Sequence, residues 1–176
     1  MNIYHDIDPQ RICSDSFDAV IEITKGSKTK YELDKSTGML MLDRILHTSM
    51  VYPANYGFIP RTYSDDQDPL DVIVLCSEPI IPLTIVNCRP IGVLFMVDDG
   101  DNDEKIIAIH SKDPFYNNIS DINELPNHIS LEIKHFFENY KALENKKTVI
   151  NNIEDAESAE RVISVAINNY KKHFVH

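Results

Sequence analysis

The sequence contains no tryptophan, few glycines and cysteines, and a shortage of positive charge. Five Gly and three Cys occur among 176 residues, and 17 Lys and Arg stand against 28 Asp and Glu, which gives a formal net charge of −11. A surface of that sign repels nucleic-acid phosphates, so nucleic-acid binding is not expected. An odd number of cysteines without CxxC spacing indicates neither a disulfide framework nor a zinc site.

The sequence also predicts neither a targeting signal nor a membrane-spanning helix. The first ten residues, MNIYHDIDPQ, have neither the basic start nor the apolar run of a signal peptide. No stretch approaches the ~20 apolar residues that a membrane helix needs. These features predict a cytoplasmic protein that does not bind membranes.

The apolar pattern predicts one domain over residues 1–176, of α+β class and mainly β. Short apolar or alternating runs fill the first two-thirds and are separated by Pro, Gly or Asp, as is typical of strands. Strands are predicted at 17–23, 31–33, 39–44, 71–75, 85–89, 91–97 and 105–109. Several short strands in succession indicate a small barrel or sandwich.

The last third of the chain has a helical period instead. Apolar residues recur at spacings of four and three from Ile129 to Leu143, which predicts an amphipathic helix after Pro126. A second helix is predicted at about 155–173, with Asn152 or Asp155 as its cap. The expected architecture is a barrel of strands with two main C-terminal helices packed outside.

An acidic segment before one predicted strand is the most informative part of the sequence. Four aspartates fall within the seven residues 65–71. Carboxylates this dense repel one another, so they are tolerable on a solvated turn or around a cation. Pro69 restricts Asp68 to extended geometry, and Asp71 opens the strand. This rigidity favours a metal site over a solvated turn.

A second acidic segment, residues 98–104, joins two apolar runs and is predicted to be a hairpin loop. Two such loops supply oxygen ligands, which suit Mg²⁺ or Mn²⁺ rather than zinc. An EF-hand is excluded because neither segment has Gly at loop position 6 or Glu at position 12.

These motifs occur together in one known family. The signature DxDPxD is present from Asp66 to Asp71, and six further segments follow the order that family shows. They are IEI at 21–23, KYE at 30–32, DR at 43–44, YPxNYG at 52–57, CRPIGVL at 88–94 and HFFExYK at 135–141. From about residue 17 to 143 the chain resembles a family I soluble inorganic pyrophosphatase of the bacterial type.

The resemblance implies a distorted five-stranded OB-like barrel that hydrolyses pyrophosphate to two orthophosphates with several Mg²⁺ ions. It implies that Asp68 orients or deprotonates the attacking water. The implied metal ligands are Asp66, Asp71, Asp103 and Asp98. The implied phosphate-binding residues are Lys30, Arg44, Tyr56, Lys105, Tyr140 and Lys141. Supporting roles, partly through water, are implied for Glu22, Glu32 and Tyr52. The family also implies a homo-oligomer, specifically a hexamer.

Two departures and two alternatives accompany this interpretation. Asp99 stands where the family usually has glutamate, and the tryptophan common after the first helix is missing. The alternatives are another Mg²⁺-dependent phosphohydrolase and a non-catalytic OB-type binding module. The missing glycine-rich phosphate loop disfavours a nucleotide hydrolase, and the acidic charge disfavours a nucleic-acid-binding module.

Overall fold

The computed structural model describes residues 2–175 and contains eight strands and three α-helices within them. The helices are α1 (Ile3–Asp6), α2 (Asn127–Asn139) and α3 (Ala156–Phe174). The strands are β1 (Phe17–Ile23), β2 (Thr29–Leu33), β3 (Leu40–Ile45), β4 (Asn55–Phe58), β5 (Asp71–Leu75), β6 (Ile85–Asp98), β7 (Asp101–His110) and β8 (Thr148–Asp155). Within this part of the chain, no helix has the length and apolar character required to cross a lipid bilayer.

Five strands pair in a ring, in the order β1, β4, β5, β7 and β6, and β6 pairs again with β1. The ring is distorted because β1 divides its length between two neighbours. Its first residues, from Phe17, pair with β6, and its last, up to Ile23, pair with β4. The predicted five-stranded OB-like fold is therefore confirmed. Its five strands form a ring and not a closed barrel.

The parallel pair β5 and β7 determines which residues meet at one end of the ring. Its register places Asp71 directly beside Lys105. On the other side of β5, Asp71 lies opposite Phe58 of the antiparallel strand β4. The last residue of β4 and the middle of β7 thus lie on either side of Asp71, the first residue of β5.

Strands β2 and β3 form a separate two-stranded sheet, in which Lys30 lies opposite Arg44. These two strands correspond to the predicted strands at 31–33 and 39–44. Glu22 of β1 anchors the hairpin, because its carboxylate accepts a hydrogen bond of 2.7 Å from the Leu33 amide.

Two helices cover the ring, as the sequence predicts, because alternate residues of the strands supply two apolar cores. Val72 of β5 belongs to a core that includes Ile163 of α3. Its neighbour Ile73 belongs to a second core that includes Phe136 of α2. Asp155 caps α3, since its side chain accepts a hydrogen bond from the Ser158 amide.

The strands differ from the prediction in three ways, of which the first is that β4 (Asn55–Phe58) was not predicted. The runs 85–89 and 91–97 belong to one strand, β6, because a register shift between Pro90 and Gly92 accommodates a proline that has no amide to donate. Strand β8 was not predicted. It pairs with β6 but has mostly polar residues, and its largely exposed face weakens the apolar period.

Gly57 is required where β4 crosses close to β1. A Cβ atom at this position would lie 1.9 Å from the Val20 carbonyl oxygen and 2.9 Å from Cα of Ile21. We expect Gly57→Ala to lower the free energy of unfolding by about 3 kcal/mol or more, because backbone atoms cannot yield as side chains do. Urea denaturation measures this change.

The control is Gly26→Ala, where no atom lies within 4 Å of the added Cβ but φ is +86°. Left-handed strain alone should cost about 1–2 kcal/mol there. A loss for Gly57→Ala no larger than for Gly26→Ala would contradict the proposed close approach.

Candidate active site

A cavity of about 250 Å³ opens where the ring, the β2–β3 hairpin and the end of α2 meet. Its wall contains carboxylates, lysines and tyrosine hydroxyls in close proximity. From the predicted site it includes Glu22, Lys30, Glu32, Tyr52, Tyr56, Asp66, Asp68, Asp71, Asp98, Asp103, Lys105, Tyr140 and Lys141. The structure thus brings together all of the predicted residues except Arg44.

Lys105 forms the central ionic interaction of the wall. Its ammonium lies 2.8 Å from a carboxylate oxygen of Asp71 and 3.0 Å from one of Asp103, and only 3% of the side chain is exposed. It also donates to the Tyr56 hydroxyl at 2.8 Å, while that hydroxyl donates to Asp71. The aspartates are therefore not an isolated group of negative charges, because a buried cation lies among them.

Burial and these neighbours shift the pKa values in opposing ways. Burial lowers the pKa of Lys105, but Asp71, Tyr56 and Asp103 outweigh it, so the net pKa lies well above its ordinary value. Burial raises the pKa of Asp103, and Asp71 adds to this while Lys105 opposes it. Lys105 consequently remains charged and provides part of the compensation that Asp103 needs.

Glu22 is the most strongly perturbed acid in the cavity. Burial raises its pKa to about 8, and the nearby charge of Asp71 contributes in the same direction. The Leu33 amide that anchors the hairpin favours the ionised form and partly offsets these effects. The environment of Glu22 therefore favours a nearby cation or a bound proton.

The loop before β5 is held as a tight turn. Asp66 accepts a 3.0 Å hydrogen bond from the Asp68 amide, and the Ser64 amide donates to the Asp68 carbonyl at 2.9 Å. Gln67, between the two aspartates, has a positive φ of 69°. Burial raises the pKa of Asp66, with Asp71 adding to the effect. These hydrogen bonds hold the turn in one conformation, which agrees with the rigidity predicted from Pro69.

The opposite wall comes from the β6–β7 hairpin and the end of α2. Asp98 forms an ion pair with Lys141. Its other oxygen, Oδ1, is buried and has no hydrogen-bond partner in the described part of the chain. Tyr140 is 4% exposed and stacks on Phe136, with ring centroids 5.2 Å apart, so α2 fixes its orientation.

Asp99 lies outside the cavity wall, as far as the described residues show. It is exposed and occupies the tight turn of the β6–β7 hairpin with Gly100, both at positive φ. The predicted hairpin is confirmed, but its turn is confined to residues 99–100, because Asp98 ends β6 and Asp101 begins β7. Because Asp99 lies in an exposed turn, a side chain shorter than the usual glutamate is accommodated there.

Arg44 belongs to strand β3 of the hairpin, and its side chain is not among the residues that line the described cavity wall. Its guanidinium contacts Asp43 at 2.9 Å and Glu144 at 3.0 Å. Nε and NH2 of Arg44 are buried without a well-aligned hydrogen bond among residues 2–175. Lys30 lies nearer the cavity and pairs with both Glu32 and Asp43.

Several wall residues were not predicted from the sequence. They are Tyr31, Leu33, Lys35, Phe58 and Pro69. Lys35 is the only one with a formal charge, and it pairs with Asp68. A lysine in a hairpin turn is ordinarily solvated, so no local signal distinguishes it. Residues 2–175 contain no ready-made metal cluster of three or more His, Cys, Asp or Glu side chains.

Comparison with known proteins is consistent with this site. The family model described as inorganic pyrophosphatase matches residues 19–171. Soluble inorganic pyrophosphatase 2 of Chlamydomonas reinhardtii is 48% identical over 172 residues, which cover 98% of this chain and 90% of that protein. Soluble inorganic pyrophosphatase 3 of Arabidopsis thaliana is 50% identical over 160 residues, which cover 91% and 74%.

Solved structures give the same result. The inorganic pyrophosphatase from Helicobacter pylori superposes with a TM-score of 0.88 at 45% identity, covering 91% of this chain and 96% of that one. That from Thermus thermophilus gives 0.89 at 36% identity, covering 97% and 99%. With a family model matched over most of its length and relatives near half identical, the chain belongs to the inorganic pyrophosphatase family.

Proposed function

We propose that this chain hydrolyses inorganic pyrophosphate to two orthophosphates in the cavity described above. The observation that carries the proposal is the arrangement of four proposed metal-binding aspartates and three proposed phosphate-binding lysines around one small cavity, whose wall also contains Asp68 and Lys35. The four aspartates and three lysines are Asp66, Asp71, Asp98, Asp103, Lys30, Lys105 and Lys141. Carboxylates for a hard cation beside cations for phosphate suit a small polyanionic substrate.

Magnesium is proposed as the cofactor, and the donor set fits it. The available ligands, Asp66, Asp71, Asp98 and Asp103, offer only oxygen atoms. The buried and unpartnered Oδ1 of Asp98, and the raised pKa values of Asp66 and Asp103, are features that a nearby cation would relieve. When bound, Mg²⁺ supplies charge neutralisation and makes a water molecule more acidic.

The chain's own residues then have separable roles in the proposed reaction. Asp68 accepts a proton from the attacking water as its oxygen forms a bond to one phosphorus. The bridging P–O bond breaks, and its electron pair leaves with the second phosphate. Lys30, Lys141 and Tyr140 stabilise phosphate oxygens, because the transition state requires positioning and electrostatic compensation more than covalent chemistry.

The remaining roles follow from position. Lys105 and Tyr56 both donate hydrogen bonds to Asp71, so they orient a proposed metal ligand, and they are also proposed to bind phosphate. Glu22, Glu32 and Tyr52 line the wall and are proposed to act partly through water. Arg44 is proposed to contribute to phosphate binding from strand β3, where it lies opposite Lys30 of the cavity wall.

The proposal also covers the domain organisation, the cellular compartment and the oligomeric state of the chain. We treat the chain as one catalytic domain over residues 1–176, in the cytoplasm and in a homo-oligomer, with the hexamer implied by the family resemblance. The free thiols of Cys13, Cys76 and Cys88, all within the described chain, support a reducing compartment. The bacterial type stays part of the proposal, since the Helicobacter and Thermus enzymes are 45% and 36% identical to this chain, and the algal and plant relatives are 48% and 50% identical.

The two alternatives have less support. A cavity of about 250 Å³ with ionic walls suits a small phosphate compound better than a nucleotide, which needs an apolar or stacking surface for its base. A non-catalytic OB-type module for nucleic acid would require a basic, aromatic groove rather than this group of carboxylates.

Orthophosphate release tests the proposed reaction. We expect two orthophosphates per pyrophosphate in the presence of Mg²⁺, and little release from ATP or a phosphomonoester under the same conditions. Excess chelator should abolish turnover, and Ca²⁺ should support little of it because its larger shell is less suited to activating water. Robust activity in chelator, or a preference for ATP, would contradict the proposal.

The substitutions Asp68→Asn and Asp71→Asn should affect turnover and stabilisation by Mg²⁺ differently. Asp68→Asn removes the proposed proton acceptor, so turnover should fall by ~10²–10⁴-fold while stabilisation by Mg²⁺ persists. Asp71→Asn should lose most of the Mg²⁺-induced rise in melting temperature as well, because a ligand of the folded state stabilises through its affinity. The measurements are orthophosphate release and melting curves with and without Mg²⁺.

The matched control is Asp65→Asn, in the same loop but outside the cavity wall formed by the described residues. It should retain both turnover and Mg²⁺ stabilisation. Equal losses in all three variants would mean that the loop acts through its overall charge, and the separate roles of Asp68 and Asp71 would be wrong.

A further inference from the structure

Lys35 links the β2–β3 hairpin to the acidic loop across the mouth of the cavity. Its ammonium pairs with Oδ1 of Asp68 and lies 3.5 Å from the Gln67 carbonyl oxygen. It belongs to the same wall as the carboxylates and lysines already described. None of the roles implied by the family resemblance includes this residue.

Hydrogen bonds within the turn that carries Lys35 fix the backbone of this residue. The Asp34 side chain accepts hydrogen bonds from the Ser36 amide at 3.0 Å and the Thr37 hydroxyl at 2.6 Å. The Asp34 amide donates to the Met39 carbonyl at 2.8 Å, which closes the hairpin. The Lys35 carbonyl also accepts a hydrogen bond from the Asn2 side chain. The backbone of Lys35 is therefore fixed on both sides.

The Asp68 backbone is also held, but its carboxylate has a single hydrogen-bonding partner in the described part of the chain. The Asp68 amide and carbonyl are both hydrogen-bonded within the loop. Among residues 2–175, the Lys35 ammonium is the only group bonded to the carboxylate, and 54% of the Asp68 side chain is exposed. Without Lys35, the carboxylate could rotate among several rotamers.

We propose that Lys35 is a positioning residue that orients the Asp68 carboxylate toward the attacking water. The ammonium on Oδ1 fixes the carboxylate plane and leaves Oδ2 free to accept the proton. The inference rests on the proposed function, since it assigns Lys35 to the reaction through Asp68. A well-placed proton acceptor reacts faster than a mobile one, because small misplacements reduce rates substantially.

A double-mutant cycle tests this role, with kcat and KM measured for pyrophosphate in saturating Mg²⁺. Lys35→Met keeps the length of the side chain without its charge. We expect it to lower kcat by roughly 10-fold with Asp68 present and by less than about 2-fold in the Asp68→Asn background, because residues that act through each other are not additive. KM should change by less than about 2-fold in both backgrounds.

The conservative variant and a second observable separate positioning from a structural role. Lys35→Arg retains a cation and should recover most of kcat. Lys35→Met should keep the wild-type rise in melting temperature on adding Mg²⁺, since it leaves the proposed ligands in place. Lys28→Met is the matched control: it removes an exposed lysine before the same hairpin and outside the described cavity wall, and should keep wild-type kcat.

Four results would overturn the inference. The first is an unchanged kcat in Lys35→Met. The others are a kcat loss of the same size in both Asp68 backgrounds, a loss confined to KM, which indicates direct contact with phosphate, and a parallel loss of Mg²⁺ stabilisation. Failure of the proposed function is distinguishable, because it would leave wild-type protein itself without pyrophosphate hydrolysis. An active wild type with an equally active Lys35→Met variant would reject only the role of Lys35.

Discussion

The site depends on two ion pairs of one buried group. The ammonium of Lys105 lies between the carboxylates of Asp71 and Asp103 and pairs with both. Burying a lysine costs several kcal/mol unless its charge is compensated and its hydrogens are bonded. Two carboxylates and the Tyr56 hydroxyl provide this compensation. Since these groups come from β4, β5 and β7, one buried ammonium couples three strands to the geometry of the cavity.

The same interaction explains why acidic and basic groups can lie together in so small a space. Lys105 offsets part of the repulsion among the carboxylates at the end of the ring. Besides Lys35, which pairs with Asp68, two further cations approach from elements outside the ring: Lys30 from the hairpin and Lys141 from the end of α2. Both already pair with cavity carboxylates, Glu32 and Asp98 respectively. A polyanionic substrate and its metal would therefore exchange these contacts for others rather than enter an uncompensated field.

Local patterns in the sequence revealed much of this arrangement. The turn formed by Asp66 to Pro69, strand β5 and the capping of α3 by Asp155 depend on residues a few positions apart, and they match the structure. Contacts between distant residues were less accessible. The parallel register that places Asp71 beside Lys105 joins residues far apart in sequence, and so does the pair of Arg44 with Glu144. Periodicity carries no information about such pairings.

The most direct test of the central role of Lys105 is the free energy of unfolding of Lys105→Met, measured with chelator and with saturating Mg²⁺. In chelator the variant should lose about 3–5 kcal/mol relative to wild type, because Asp71 and Asp103 would face each other without a buried cation. Saturating Mg²⁺ should reduce this deficit by at least half, since the metal would neutralise the same carboxylates. A deficit of equal size in both conditions would contradict this role and would show that Lys105 stabilises the fold independently of a cation site.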